Sequence, residues 1–156
     1  MKIAIGCDHN AFALKRSVIE YLRELGHEAE DFGVGSAEEA VDYPDIGLAV
    51  AEAIRDGRFE RGILICGTGI GMAITANKVP GVYAACCHDP YSAERARKSN
   101  NAQILTMGAQ IVAPTLARVL LDHWLASEFA GGRSAPKVEK IRGIERKYGE
   151  PGGQGA

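Results

Sequence analysis

Short apolar runs alternate along this chain with longer stretches in which apolar residues recur every three or four positions. Residues 2–7 (KIAIGC) read as a first strand, and residues 11–25 as a helix whose face carries Phe12, Leu14, Val18, Ile19, Leu22 and Leu25, ended by Gly26. Residues 27–33 form a weaker strand, whose acidic positions alternating with Ala29 and Phe32 suit a sheet edge. A turn signal at Tyr43-Pro44-Asp45 follows, with Asp45 placed to cap a helix of apolar face Ile46, Leu48, Ala49, Ala53 and Ile54. Residues 62–66 (GILIC) read as a buried strand, then come a glycine-rich turn and a helix from Met72 to Asn77, stopped by Pro80 and Gly81. Residues 82–87 (VYAACC) read as another buried strand, 92–98 as a short polar helix and 102–107 as a fifth strand. A long amphipathic helix is expected over 114–129, with Leu116, Val119, Leu120, His123 and Trp124 among its contacts. A last charged helix over 136–148 carries a thin stripe, Val138, Ile141 and Ile144, of the kind that packs on a partner or a domain edge. The tail, 149–156, has nothing to bury and is expected to be disordered.

Alternating strands and helices without a linker predict one α/β domain over 1–148. It is a three-layer α/β/α, Rossmann-like arrangement with a five-stranded parallel sheet and a carboxyl-terminal helix. Ligands of such sheets bind beyond the carboxyl ends of the strands. The segments expected there are Asp8-His9, Tyr43-Pro44-Asp45, Cys66 to Gly71 and His88-Asp89.

Composition narrows the classes. A chain of 156 residues, 46% hydrophobic and 24% charged, suits one globular domain. A net charge of -2 argues against a broad nucleic-acid or membrane surface, and no apolar run approaches the roughly 20 residues that span a bilayer. With no amino-terminal signal peptide, the expectation is a cytoplasmic protein with reduced thiols. The four cysteines show no CxxC spacing for zinc or redox chemistry, and Cys7, Cys86 and Cys87 read as small buried hydrophobes.

The turn after Cys66 carries the chemistry. Gly67-Thr68-Gly69-Ile70-Gly71 between strand and helix makes a cradle of backbone N–H groups, suited to a phosphate or a developing oxyanion. Met72 and Ala73 follow where a nucleotide P-loop requires lysine and a hydroxyl, GxGxG is not the dinucleotide fingerprint, and the loop lacks the arginine of a cysteine phosphatase. Backbone donors around a thiolate stabilise the anion, so Cys66 suits a base or a nucleophile. From spacing alone, Cys66 as core filler beside a tight turn is the competing reading.

The stretch GILICGTGIG with ITANKVPG, the opening IAIGCDH, and the DYPD, PYSAERA and GGR segments together resemble the ribose-5-phosphate isomerase B family. That family also includes the galactose-6-phosphate isomerase subunits, and the resemblance runs from Met1 to about Tyr148. It implies a metal-free, cofactor-free aldose–ketose isomerase acting through a cis-enediolate. By resemblance Cys66 is the base, Thr68 assists proton traffic, and the N–H groups of Gly67, Gly69 and Gly71 hold the enediolate oxygens. Asp8 contacts sugar hydroxyls, His9 and Arg133 bind the phosphate, and Lys137 stands where a second phosphate-binding arginine is usual. Asn100 is kept, and Tyr43 is a further candidate contact. The implied partners are the phosphorylated sugar and a second copy of the chain, in a homodimer or tetramer with shared sites.

The departure that bears most on substrate is Ser99, which replaces the histidine credited with opening a furanose ring. A serine hydroxyl cannot act as an equivalent acid near neutrality, and His88 is the candidate substitute. Ribose 5-phosphate remains the leading substrate. A tetrose 4-phosphate, whose blocked O4 cannot close that ring, is the main rival; a galactose-6-phosphate isomerase or a non-catalytic sugar-phosphate-binding subunit ranks lower.

Overall fold

The structure, a computed structural model, describes residues 1–149. Its strands are β1 (Lys2–Cys7), β2 (Glu28–Asp31), β3 (Arg61–Cys66), β4 (Ala84–Cys86) and β5 (Ile104–Gly108), all parallel, in the order β2-β1-β3-β5-β4. The helices are α1 (Phe12–Glu24), α2 (Tyr43–Arg55), α3 (Ile70–Ala76), α4 (Pro90–Asn100), α5 (Pro114–Leu125) and α6 (Ala135–Gly149).

The period-two alternation of the strands sorts the core into two layers. Ile3, Ile5, Ile63, Ile65, Leu105 and Met107 pack with Leu22, Leu120 and Trp124 on one face. Ala4, Leu64, Cys66 and Ile104 pack with Val50, Ile54, Met72 and Ala76 on the other. β3 lies at the centre, paired with β1 and β5, and is buried along its whole length. Between β1 and β3 the order of strands reverses direction, so their carboxyl ends flank the crevice where such sheets bind ligands.

Several boundaries differ from the sequence reading. Residues 82–87 were expected as a buried strand; only Ala84–Cys86 pairs, on the open edge beyond β5, and Cys86 is exposed. An edge strand has one neighbour, so it is short and open on its free side. Tyr43-Pro44-Asp45 is not a turn before a helix but the first turn of α2, with Asp42 at the cap position and no side-chain bond from it. Proline is tolerated there because the first-turn N–H is unpaired anyway. Leu48, expected on the buried face of α2, is exposed, as are Val119 and His123 on α5.

α5 stops at Leu125, short of residue 129. The buried Arg61 guanidinium lies 5.1 Å from the Trp124 ring centroid and donates to the Trp124 and Ser127 carbonyls at 3.1 and 2.8 Å. It thus adds a side-chain donor at the helix end, where the Trp124 carbonyl also accepts the Ser127 N–H at 3.2 Å. α4 is longer than expected, because the Asp89 carboxylate caps it by accepting from the Ser92 N–H at 2.7 Å. In α6 Val138 is buried while Ile141 and Ile144 are exposed. Gly149, grouped with the tail in the sequence, ends that helix; the rest of the tail lies outside the described residues.

Candidate active site

Cys7 pairs with Ile65 across β1 and β3, which brings Asp8 and Cys66 out at the same end of the sheet. They share an open pocket of about 420 Å³ with Asn10, Tyr43, Gly67, Thr68, Ile70, Gly71 and Ile74. Both are nearly buried, Asp8 at 4% exposure and Cys66 at 5%.

The loop holds the thiol by its backbone. Gly69 adopts φ +77°, and its N–H donates to Cys66 Sγ at 3.1 Å. A side chain there would place Cβ 2.7 Å from the Met107 carbonyl carbon, so both the conformation and the space call for glycine. The exposed Thr68 hydroxyl oxygen accepts from the Ile70 N–H at 3.4 Å. Across the pocket the Asp8 carboxylate accepts the Asn10 N–H at 3.1 Å and the Asn10 side-chain amide at 3.3 Å. A sulfur held by an amide and facing a carboxylate and a hydroxyl can exchange a proton with a carbon acid, and loop amides can steady an oxyanion. Burial pushes the Cys7 and Cys87 thiols up to about 12, and partial desolvation of its sulfur also raises Cys86, although that residue as a whole is exposed.

Other residues singled out in the sequence lie elsewhere. His9 sits in a short 3-10 turn with its Nδ1 buried and unpartnered among the described residues. His88 Nε2 accepts the Gly108 N–H at 2.9 Å, which leaves the ring proton on Nδ1, and the residue does not line the pocket. Ser99 is inside α4, its hydroxyl accepting two N–H groups of Arg95 at 3.0 and 2.6 Å. Asn100 ends α4, Arg133 is exposed in the 3-10 turn Gly132–Ser134, and Lys137 is exposed on α6; none of these lines the pocket. Conversely, Asn10 and Ile74 line it without a site signal of their own in the sequence, while Ile70 belongs to the expected Cys66-to-Gly71 segment. Asn10 stood in view beside Asp8-His9 at a strand end, which was its only sequence signal.

Among the described residues no group of three His, Cys, Asp or Glu is arranged to hold a metal ion, and no helix is long and apolar enough to cross a membrane. Residues 3–141 match the model of a family described as Ribose/Galactose Isomerase. The chain belongs to that family. It is a sugar-phosphate isomerase of the ribose/galactose isomerase family, and its relatives differ in the sugar they are named for. It is 55% identical over 147 residues to the ribose-5-P isomerase B of Listeria innocua, covering 94% of this chain and 99% of the relative. It is 52% identical over 141 residues to the D-erythrulose-4-phosphate isomerase of Pectobacterium atrosepticum, covering 90% and 93%. The solved structure of Clostridium thermocellum ribose-5-phosphate isomerase B superimposes with a TM-score of 0.92 at 51% identity, covering 95% of this chain and 99% of that one.

Proposed function

We propose that this isomerase moves a proton between C1 and C2 of a phosphorylated sugar through a cis-enediolate, with Cys66 as the base. The observation that carries this reading is the Cys66 sulfur beside the Asp8 pocket with the Gly69 N–H upon it. Thr68 passes protons at the sugar oxygens, and the loop amides between Gly67 and Gly71, other than that of Gly69, which is bonded to the sulfur, receive the enediolate; losing one such donor typically costs about 3–4 kcal/mol of barrier. Asp8 contacts sugar hydroxyls, while His9, Arg133 and Lys137 take the phosphate. Arg133, Lys137 and Asn100 lie outside the pocket, and a homodimer or tetramer with shared sites accounts for their role.

The substrate we assign is ribose 5-phosphate, converted to ribulose 5-phosphate, in keeping with the names of the Listeria and Clostridium relatives. A second reading, a tetrose 4-phosphate, is favoured by one specific observation. Ser99 has no acid to offer and its hydroxyl is taken by Arg95, while His88 Nε2 is engaged with Gly108. A sugar that never closes a furanose needs neither.

Cys66→Ala is expected to abolish exchange of solvent deuterium at C2 while leaving sugar-phosphate affinity nearly unchanged; persisting exchange means another base. Comparing kcat/KM on ribose 5-phosphate and erythrose 4-phosphate decides the substrate. A large preference for the tetrose overturns the first assignment.

A further inference from the structure

Beneath the cradle lies a hydroxyl that the mechanism has not used. Thr106, in the middle of β5, is fully buried, and its Oγ1 donates to the Gly69 carbonyl at 2.8 Å. It pairs with Leu64 on β3 and Cys86 on β4, on the sheet face covered by α3. The same Gly69 carbonyl accepts the Ala73 N–H at 3.1 Å, the first backbone bond of α3. Both lone pairs are thus engaged, one by the helix and one by the sheet. The other side of this residue, the Gly69 N–H, is the donor to Cys66 Sγ.

We infer that Thr106 is a positioning residue for catalysis: its hydroxyl ties the Gly69 peptide to the sheet and so holds the Gly69 N–H on the Cys66 sulfur. A threonine is otherwise out of place there, since its neighbours along the strand, Leu105 and Met107, and its partner Leu64 are buried and apolar. A buried hydroxyl is retained at low cost only when it is bonded. Thr106 does not line the pocket, and its route to Cys66 is the hydrogen bond to Gly69; its hydroxyl also lies beside the Cys86 thiol. With valine at the same place the shape is kept and the donor is gone. Gly69 then hangs on the helix bond alone, in a loop whose function depends on one N–H direction.

The inference rests on Cys66 as the base, and one of its readouts is independent of that role. In Thr106→Val, kcat is expected to fall about tenfold with KM within about twofold, and the rising limb of the pH–rate profile to move to higher pH. Alkylation of Cys66 by iodoacetamide at pH 7.5, followed by peptide mass spectrometry to separate it from the exposed Cys86, is expected to slow several-fold. Thr106→Ser, which keeps the hydroxyl, is expected to restore both. Alkylation needs no sugar: slowed alkylation with unchanged turnover overturns the Cys66 base and leaves the Thr106 contact standing. Unchanged alkylation in Thr106→Val, or serine behaving like valine, overturns the inference itself. Should the valine variant not fold, Thr106→Ser against Thr106→Ala gives the same comparison.

Discussion

The ring of Tyr43 lies on the α-carbon of Gly71: a Cβ added to Gly71 would stand 2.7 Å from the Tyr43 hydroxyl and nearer still to the ring. The first turn of α2 and the first turn of α3 thereby close one wall of the pocket. Tyr43 is 39% exposed, so its ring can swing outward at little cost. Gly71→Ala is therefore expected to leave stability within about 1 kcal/mol. The same change is expected to lower kcat/KM about tenfold, or about 1.4 kcal/mol of barrier. In a Tyr43→Ala background the same change should add little, and a double-mutant cycle measures that coupling.

Gly69 and Gly81 both have positive φ, +77° and +83°, but only Gly69 lacks room for a side chain. Gly81→Ala is expected to cost about 1 kcal/mol, the conformational strain alone. Gly69→Ala adds a collision with the Met107 backbone and is expected to cost about 3 kcal/mol or more. Urea denaturation of the two variants separates strain from crowding, and equal losses would refute the distinction.

Cys7 and Cys87 stand at about 12 in the native state, against an ordinary 9, because burial disfavours the thiolate. A raised native value means stability that is intact below pH 9 and is lost as pH climbs toward 12, since only the unfolded thiols ionise in that window. The melting temperature is expected to fall across this interval, and to fall less steeply in a Cys7→Ala, Cys87→Ala variant. Below pH 9 neither native thiol should react appreciably with a maleimide, whereas the exposed Cys86 should.

If Ser99 limits the use of cyclic sugars, Ser99→His should raise kcat/KM on ribose 5-phosphate by about a hundredfold, the lower end of what a placed acid contributes. Activity on erythrose 4-phosphate, already open, should hardly change. A rise on both sugars alike would show that the residue governs binding rather than ring opening.

Much of this protein was legible before folding. Short apolar runs such as IAIGC and GILIC, separated by helical spacing, define an α/β chain and place Asp8 and Cys66 at strand ends, because apolar runs and turn residues are local properties. The helix caps were less legible. Tyr43-Pro44-Asp45 spells a turn as readily as a first helical turn, and Asp42 and Asp45 compete for the cap. The exposure of Cys86 is not legible, because an apolar run does not reveal whether its strand has one neighbour or two; here β4 is the edge and Cys86 is exposed.

What the amino-acid order determined by itself was the family, the glycine turn and the thiol within it. The tertiary structure alone decided which distant groups meet. Asn10 against Asp8 and Arg95 against Ser99 are local, two and four positions apart, but only the fold set Gly108 against His88 and Thr106 beneath Gly69. Of these, Gly108–His88 and Thr106–Gly69 join residues 20 and 37 positions apart, a separation over which no periodicity carries information. Their proximity follows from strand order, which places β5 between β3 and β4 and so sets a buried hydroxyl from a late strand under a turn made much earlier in the chain.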